Sequence, residues 1–264
     1  MSDNKPRVAF FDFASCEGCQ LTVLGMGEAL LKILEYVEVV EWREVISEKS
    51  NRFDIAIVEG CIARDSDVLR LKKVRERAGT LIALGACATL GGVQILGNRF
   101  GRSELLELVY GEEGKNFEAG RVRPLSAEVP VDYLIHGCPI NPDEFLEVME
   151  HVLLGKPYRV PNEAVCMECK FRENECVFDT GKICLGPVTR CGCNAICTSV
   201  GQRCFGCRGL VDDPNLNAAR EILKKHGYTV EEIIGMFDIY SQAAAPEKII
   251  GGGMGRSSFL DRER

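Results

Sequence analysis

Residues 7–20 read RVAFFDFASCEGCQ, and this stretch decides the fold class. Its apolar run, Arg7–Phe13, is typical of a buried strand in a parallel sheet, and a pair of cysteines follows where the strand ends. Similar runs recur at Val37–Trp42, Asp54–Glu59, Thr80–Leu84 and Val131–His136. Helical patterns lie between these runs, which indicates parallel strands joined by crossover helices. We therefore predict a doubly wound α/β domain.

The predicted helices of this domain are Gln20–Glu35, Asp65–Arg77 and Asn141–Leu154. Leucines at helical spacing mark the first helix. Asn141 and Pro142 are typical of an N-cap and a first helical position, so the third helix is expected to begin there. In the tail, helical patterns return at Asn215–His226 and Val230–Tyr240.

The segment Gly155–Asn162 contains two prolines and no hydrophobic period, which is typical of a boundary between domains. We therefore predict two domains. Residues 1–155 form the α/β domain, and residues 156–264 form a loop-rich, cysteine-rich domain that ends in a helical tail.

Composition excludes several classes of protein. The 264-residue chain has a formal charge of -7 and scattered lysines and arginines, so no nucleic-acid partner is expected. Its apolar runs fall well short of the ~20 residues of a membrane helix, and no transmembrane span is predicted. Residues 1–20 lack the features of a signal peptide, so we expect a cytoplasmic protein. Cytosolic thiols stay reduced, so the 14 cysteines are expected to bind metal, react or fill core instead of forming disulfides.

Four cysteines of the first domain follow predicted strands: Cys16, Cys19, Cys87 and Cys138. Open α/β sheets bind ligands outside the carboxyl ends of their strands, so these four thiols are expected to meet at one point. Neighbouring glycines would let the backbone pack against a bulky group there. The alternative is that Cys87 and Cys138 are only small buried residues.

The second domain has nine cysteines between Cys166 and Cys207 and few apolar residues, so metal is expected to order it. Without Cys191, eight thiols remain for two four-thiolate sites: Cys166, Cys169, Cys176, Cys184, Cys193, Cys197, Cys204 and Cys207. Spacing alone does not choose between zinc and iron-sulfur, because tetrahedral thiolate sites suit both. Three iron-sulfur clusters would form a path for electrons, whereas three closed zinc sites would only stiffen the protein.

These motifs together resemble the small subunits of nickel-iron hydrogenases. In the first half the resemblance rests on Cys16-Glu17-Gly18-Cys19, Glu59-Gly60, Gly85-Ala86-Cys87-Ala88 and Gly137-Cys138-Pro139. In the second half, residues 183–190 (ICLGPVTR) and 204–209 (CFGCRG) are similar to the cytosolic branch of that family. This branch includes small subunits of viologen-reducing, heterodisulfide reductase-linked hydrogenases of methanogens and delta subunits of soluble sulfhydrogenases.

The resemblance implies a flavodoxin-like first domain and three 4Fe-4S clusters. The cluster nearest the nickel-iron centre would be held by the proximal set, Cys16, Cys19, Cys87 and Cys138. The outermost cluster would be held by the distal set, Cys166, Cys169, Cys176 and Cys184. The remaining cluster would be held by the medial set, Cys193, Cys197, Cys204 and Cys207.

The function implied by the resemblance is that of an electron-transferring small subunit. It would carry electrons during reversible dihydrogen oxidation between a large subunit, which holds the catalytic nickel-iron centre, and an acceptor iron-sulfur or flavin subunit. Two alternatives remain: a cluster-bearing subunit of a related respiratory quinone-linked or membrane hydrogenase complex, and a zinc-stabilised interaction module.

Several residues near the motifs are given no role in chemistry. Cys61 and Cys191 are surplus to the three sets, and Cys61 is interpreted as a buried spectator thiol. For Glu17 and Glu59 the alternatives are contact with the partner or a proton route, and a solvated carboxylate is the commoner explanation. His136 is interpreted as a satisfied core residue or one that supports a nearby ligand.

Overall fold

The computed structural model describes residues 5–229, 232, 235, 239 and 240. Its strands are β1 (Arg7–Asp12), β2 (Glu38–Glu41), β3 (Ile55–Glu59), β4 (Thr80–Leu84) and β5 (Tyr133–Ile135). They form a 5-stranded sheet in the order β2-β1-β3-β4-β5, and every neighbouring pair is parallel. This order is that of a flavodoxin-like doubly wound sheet, so the predicted fold class is confirmed.

The helices of the α/β part are α1 (Gly18–Leu24), α2 (Glu28–Leu34), α3 (Asp65–Arg77), α4 (Gly85–Leu90), α5 (Arg102–Tyr110) and α6 (Pro142–Leu153). Further along the chain follow α7 (Val165–Phe171), α8 (Ile196–Ser199) and α9 (Leu216–Lys225). Three 3-10 helices lie at Val93–Arg99, Gly111–Asn116 and Leu125–Ala127.

The core lies on both faces of the sheet, because helices cover each face. All residues of β3 are buried, and alternate residues of β1 point to opposite sides. Ala9 and Phe11 pack toward α3, whereas Val8 and Phe10 pack toward α6. Burial on both faces explains why these strands read as continuous apolar runs instead of alternating ones.

The predicted helix Gln20–Glu35 is wrong in one respect, because the structure divides it into α1 and α2. The break contains Gly25 and Gly27, and glycine is a poor helix former. The third predicted helix begins as expected, since the Asn141 side chain accepts a hydrogen bond from the backbone N–H of Asp143.

Strand boundaries also differ from the prediction. The sequence predicts the last strand at Val131–His136, but only Tyr133–Ile135 forms the regular strand β5. Just before it, the side chain of Asp132 accepts a hydrogen bond from the backbone N–H of Leu81 at 2.7 Å. Helices α4 and α5 have no counterpart in the sequence prediction. The first is six residues long, too short to show a period.

Residues 163–228 are mostly loop, as expected, with two small apolar cores of their own. One core packs α9 through Ala219 and Leu223 against Leu185 and Val188. The helix α9 confirms the first tail prediction, whereas most of the second, Val230–Tyr240, lies outside the described residues. No helix within the described residues is both long enough and apolar enough to cross a membrane.

A matched pair of leucine substitutions tests this account of the core. Leu81 lies on β4 with 0% exposure, and Leu108 lies on α5 with 73% exposure. Leu81→Ala should lower the free energy of unfolding by about 2–5 kcal/mol because it leaves a cavity between sheet and helices. Leu108→Ala should change it by less than about 0.5 kcal/mol. Denaturant unfolding measures both, and equal losses would contradict the packing described.

Candidate metal centres

The proximal set lies at the carboxyl ends of β1, β4 and β5. Cys16 follows β1, Cys19 lies in α1, Cys87 lies in α4 directly after β4, and Cys138 follows β5. The backbone is shaped for close approach, since a Cβ on Gly85 would lie only 2.3 Å from the Cys19 sulfur. A side chain there would collide with the thiol, so glycine is needed at this position.

Electrostatic repulsion shows that the four proximal thiols are neighbours. The pKa of Cys87 is raised to about 11, first by burial and then by nearby negative charges, including those of Cys138 and Cys16. Burial also raises the pKa of Cys19, and the charges of Cys87 and Cys138 contribute. Cys19 and Cys87 keep their protons in this setting unless a metal replaces them, because burial and the charges of neighbouring thiolates disfavour their ionised forms. The donor set therefore fits a cationic iron-sulfur core.

Glu59 supports this set, and its interpretation as a solvated carboxylate is wrong. The side chain is 1% exposed at the end of β3. It accepts hydrogen bonds from the backbone N–H groups of Cys19 at 3.2 Å and Gln20 at 3.0 Å. The carboxylate thus fixes the start of α1, where N–H groups lack helical partners. Glu17, in contrast, is partly exposed and forms an ion pair with Arg43.

The distal set is carried by α7 and by the loop that follows it, which contains Cys176 and Cys184. Cys166 and Cys169 lie in α7, and a Cβ on Gly186 would lie 3.3 Å from the Cys166 sulfur and 3.4 Å from the Cys184 sulfur. The pKa of Cys166 is raised to about 11, first by burial and then by the charges of Cys184, Cys169 and Cys176. The structure therefore brings the four distal thiols near one another.

The medial set lies next to both of the other sets. Burial raises the pKa of Cys207 to about 12, and the charges of Cys193, Cys138 and Cys197 add to the rise. The backbone N–H of Cys138 also donates to the Cys207 sulfur. On the other side, the backbone N–H of Cys204 donates to the Cys184 sulfur at 3.3 Å.

Glu168 on α7 holds the loop that carries the medial set, a role that sequence reasoning missed. Its carboxylate accepts hydrogen bonds from the backbone N–H groups of Gly192 at 2.8 Å and Ala195 at 3.1 Å. It also lies 3.7 Å from the Cys193 sulfur. A single acidic residue thus joins the helix of the distal set to the loop of the medial set.

The surplus thiols are both buried. Cys61 is 0% exposed, so its predicted burial is confirmed, and its thiol donates to the Ala14 carbonyl. Cys191 lies beside Glu163. His136 is a satisfied core residue as predicted, since its ring pairs with the Thr89 hydroxyl, and burial lowers its pKa to about 3.

The tail adds one residue that the motifs did not indicate. The Tyr240 hydroxyl forms a hydrogen bond with the Cys138 thiol, and burial is the main cause that raises the pKa of Tyr240.

Across the residues that the structure describes, no group of three or more His, Cys, Asp or Glu is arranged to hold a single metal ion.

Comparison with known proteins places the chain in a family. A family model described as NADH ubiquinone oxidoreductase, 20 Kd subunit, matches residues 16–152. Sulfhydrogenase 2 subunit delta of Pyrococcus furiosus is 38% identical over 222 residues, covering 83% of this chain and 92% of the relative. A vhu subunit of the F420-non-reducing hydrogenase of Methanocaldococcus jannaschii is 29% identical, covering 92% of this chain and 96% of the relative.

A solved structure agrees with these relatives. One chain of an NAD+-reducing NiFe-hydrogenase in the H2-reduced state superimposes with a TM-score of 0.52 and 26% identity, covering 59% of this chain and 96% of that chain. The chain therefore belongs to the family of the 20 Kd subunit of NADH ubiquinone oxidoreductase.

Within that family, the chain is an electron-transferring small subunit of the nickel-iron hydrogenase type, as the sequence motifs predicted. A subunit of this type carries iron-sulfur clusters and pairs with a large catalytic subunit.

The hydrogen bonds of Glu59 are open to a direct test. Glu59→Ala should lower the free energy of unfolding by about 1–3 kcal/mol, because two backbone N–H groups near the proximal set lose their acceptor. Glu59→Gln keeps one acceptor oxygen and should fall between this variant and the native protein. The matched control is Glu76→Ala on the exposed face of α3, which should have little effect. Equal unfolding curves for all three variants would contradict the role of Glu59.

Proposed function

We propose that this chain carries electrons through three 4Fe-4S clusters during reversible dihydrogen oxidation. The path would run between the nickel-iron centre of the large subunit and an acceptor iron-sulfur or flavin subunit. The proximal set (Cys16, Cys19, Cys87 and Cys138), the distal set (Cys166, Cys169, Cys176 and Cys184) and the medial set (Cys193, Cys197, Cys204 and Cys207) would each hold one cluster. When bound, the clusters supply one-electron chemistry, and the protein tunes their potentials through N–H to sulfur bonds and burial.

The observation that carries this proposal is the continuous order of the three sets in space. A hydrogen bond from Cys138 to Cys207 joins the proximal and medial sets. A second, from Cys204 to Cys184, joins the medial and distal sets. Adjacent sets are what stepwise electron transfer requires.

The same proposal assigns the two parts of the chain different tasks. Residues 1–155 would form the flavodoxin-like domain with the proximal cluster, next to the large subunit. Residues 156–264 would form the domain with the two outer clusters, toward the acceptor. We place the complex in the cytoplasm, where reducing conditions keep thiols available as ligands.

Metal analysis tests the cofactors. The subunit, purified anaerobically with its partners, should contain about twelve irons, four for each of three clusters, with matching sulfide and broad brown absorption. A nickel-containing large subunit should co-purify with it. Stoichiometric zinc without colour would refute the proposal and support the zinc-stabilised module, and co-purification with a quinone-linked complex that contains no nickel would support the respiratory alternative.

Serine substitutions test the ligands. Cys87→Ser and Cys176→Ser should each lower the iron content by up to about four irons, because each removes one ligand of a cluster. Cys61→Ser is the matched control, since Cys61 is buried near Cys87 but lies outside the three sets, and it should keep the full content. Iron loss in Cys61→Ser equal to that in Cys87→Ser would contradict the assignment of the proximal set.

A further inference from the structure

Arg208 is a buried cation at the junction between the two halves of the chain. Its side chain is 0% exposed. The guanidinium donates from Nε to the Cys191 carbonyl at 2.6 Å and from Nη1 to the His136 carbonyl at 2.8 Å. It also donates to both carboxylate oxygens of Glu144 on α6, at 2.6 and 2.8 Å. Every arm of the guanidinium is thus fixed by an acceptor.

The surroundings are built to hold this side chain. Gly192 has a φ of 106°, and a Cβ there would lie 2.3 Å from Nη2 of Arg208. The Asn141 side chain donates to the Gly192 carbonyl at 3.0 Å, and the Tyr158 hydroxyl donates to Glu144 at 3.1 Å. The cation therefore has one position, and α6 and the cysteine-rich loop both contribute to it.

This position lies between the proximal and medial sets. Arg208 directly follows Cys207 in the sequence. Its guanidinium donates to the carbonyl of His136, which is two residues before Cys138. Its charge interacts with the thiol groups of Cys193 and Cys207. The guanidinium also donates to the carbonyl of Cys191, which is two residues before Cys193. Both neighbouring sets thus have a ligand within two residues of a contact made by the guanidinium.

A buried ion pair contributes little net stability, because desolvation of the two charges offsets their attraction. A fixed charge in a poorly polarisable interior, in contrast, acts strongly on nearby redox groups. One-electron reduction adds a negative charge to an iron-sulfur cluster, so a neighbouring cation favours the reduced form.

We propose that Arg208 is a positioning residue for electron transfer, which raises the reduction potential of the cluster held by the medial set, and that Glu144 limits this effect. The inference rests on the proposed function, because it requires a cluster at that set. Under this inference, one buried ion pair sets the reduction potential of the middle cluster in the path.

The test is an EPR-monitored redox titration of the complex purified anaerobically. The medial signal is identified as the one that Cys193→Ser alters. Glu144→Gln removes the negative partner and should shift the medial midpoint potential upward. Adding Arg208→Gln to that variant should shift the potential back downward. The second comparison isolates the arginine charge, because neither variant contains a carboxylate at position 144.

Two further variants separate charge from structure. Arg208→Lys with Glu144 intact keeps the charge and should leave the medial potential closer to that of the native protein than Arg208→Gln does. If the Glu144→Gln variants fail to assemble, the comparison of Arg208→Lys with Arg208→Gln still tests the effect of the charge. The matched control is Arg75→Gln with Asp132→Asn, which removes an ion pair near the amino ends of the strands and should shift no cluster potential.

The outcomes distinguish the two proposals. A native complex without iron would refute the proposed function itself. Intact clusters with an unchanged medial potential would refute only the role of Arg208. The same holds if the potential moves in the same direction when Glu144→Gln is introduced and when Arg208→Gln is then added. An equal fall in Arg208→Lys and Arg208→Gln would also refute it, since the charge would then be irrelevant.

Discussion

The close packing of many thiols, most of them buried or partly buried, is the constraint on which the rest of this structure depends. A buried thiol keeps its proton, and the charge of each neighbouring thiolate strengthens that tendency, as the raised pKa values of Cys87, Cys166 and Cys207 show. The loops that carry these thiols have little apolar surface with which to order themselves. A metal group that replaces the protons would therefore neutralise charge and fix the loops in one step.

Buried and partly buried carboxylates give the loops a second means of support. Glu59 binds the N–H groups at the start of α1, and Glu168 binds those of the medial loop. Glu144 binds Arg208 and so joins α6 to the end of the cysteine-rich region. Each carboxylate accepts from donors far away in the chain, so each one connects segments that no regular secondary structure connects. For Glu59 these charge-assisted bonds offset only part of the desolvation, since burial still raises the pKa of its carboxyl group.

The sequence predicts the parts of the molecule that follow from period and chain direction. Apolar runs locate the strands, and the rule that ligands bind at carboxyl strand ends is enough to bring Cys87 toward Cys138. The carboxylate roles escape prediction, because Glu59 and Glu168 differ in no local pattern from solvated acids and their partners lie about 40 and 25 residues away. Short helices such as α4 are also not predicted, because about one and a half turns are too few to show a hydrophobic period.

The medial set lies last in the chain but between the other two sets in space. This follows from the return of the chain after α8, which brings Cys204 beside Cys184 and Cys207 beside Cys138. In both places a backbone N–H of one set donates to a sulfur of the next, and such bonds stabilise the thiolate form. Neighbouring sets therefore share parts of their environment. A change in one set alters the sulfur ligands of the next, so the effects of ligand substitutions in adjacent sets should not add.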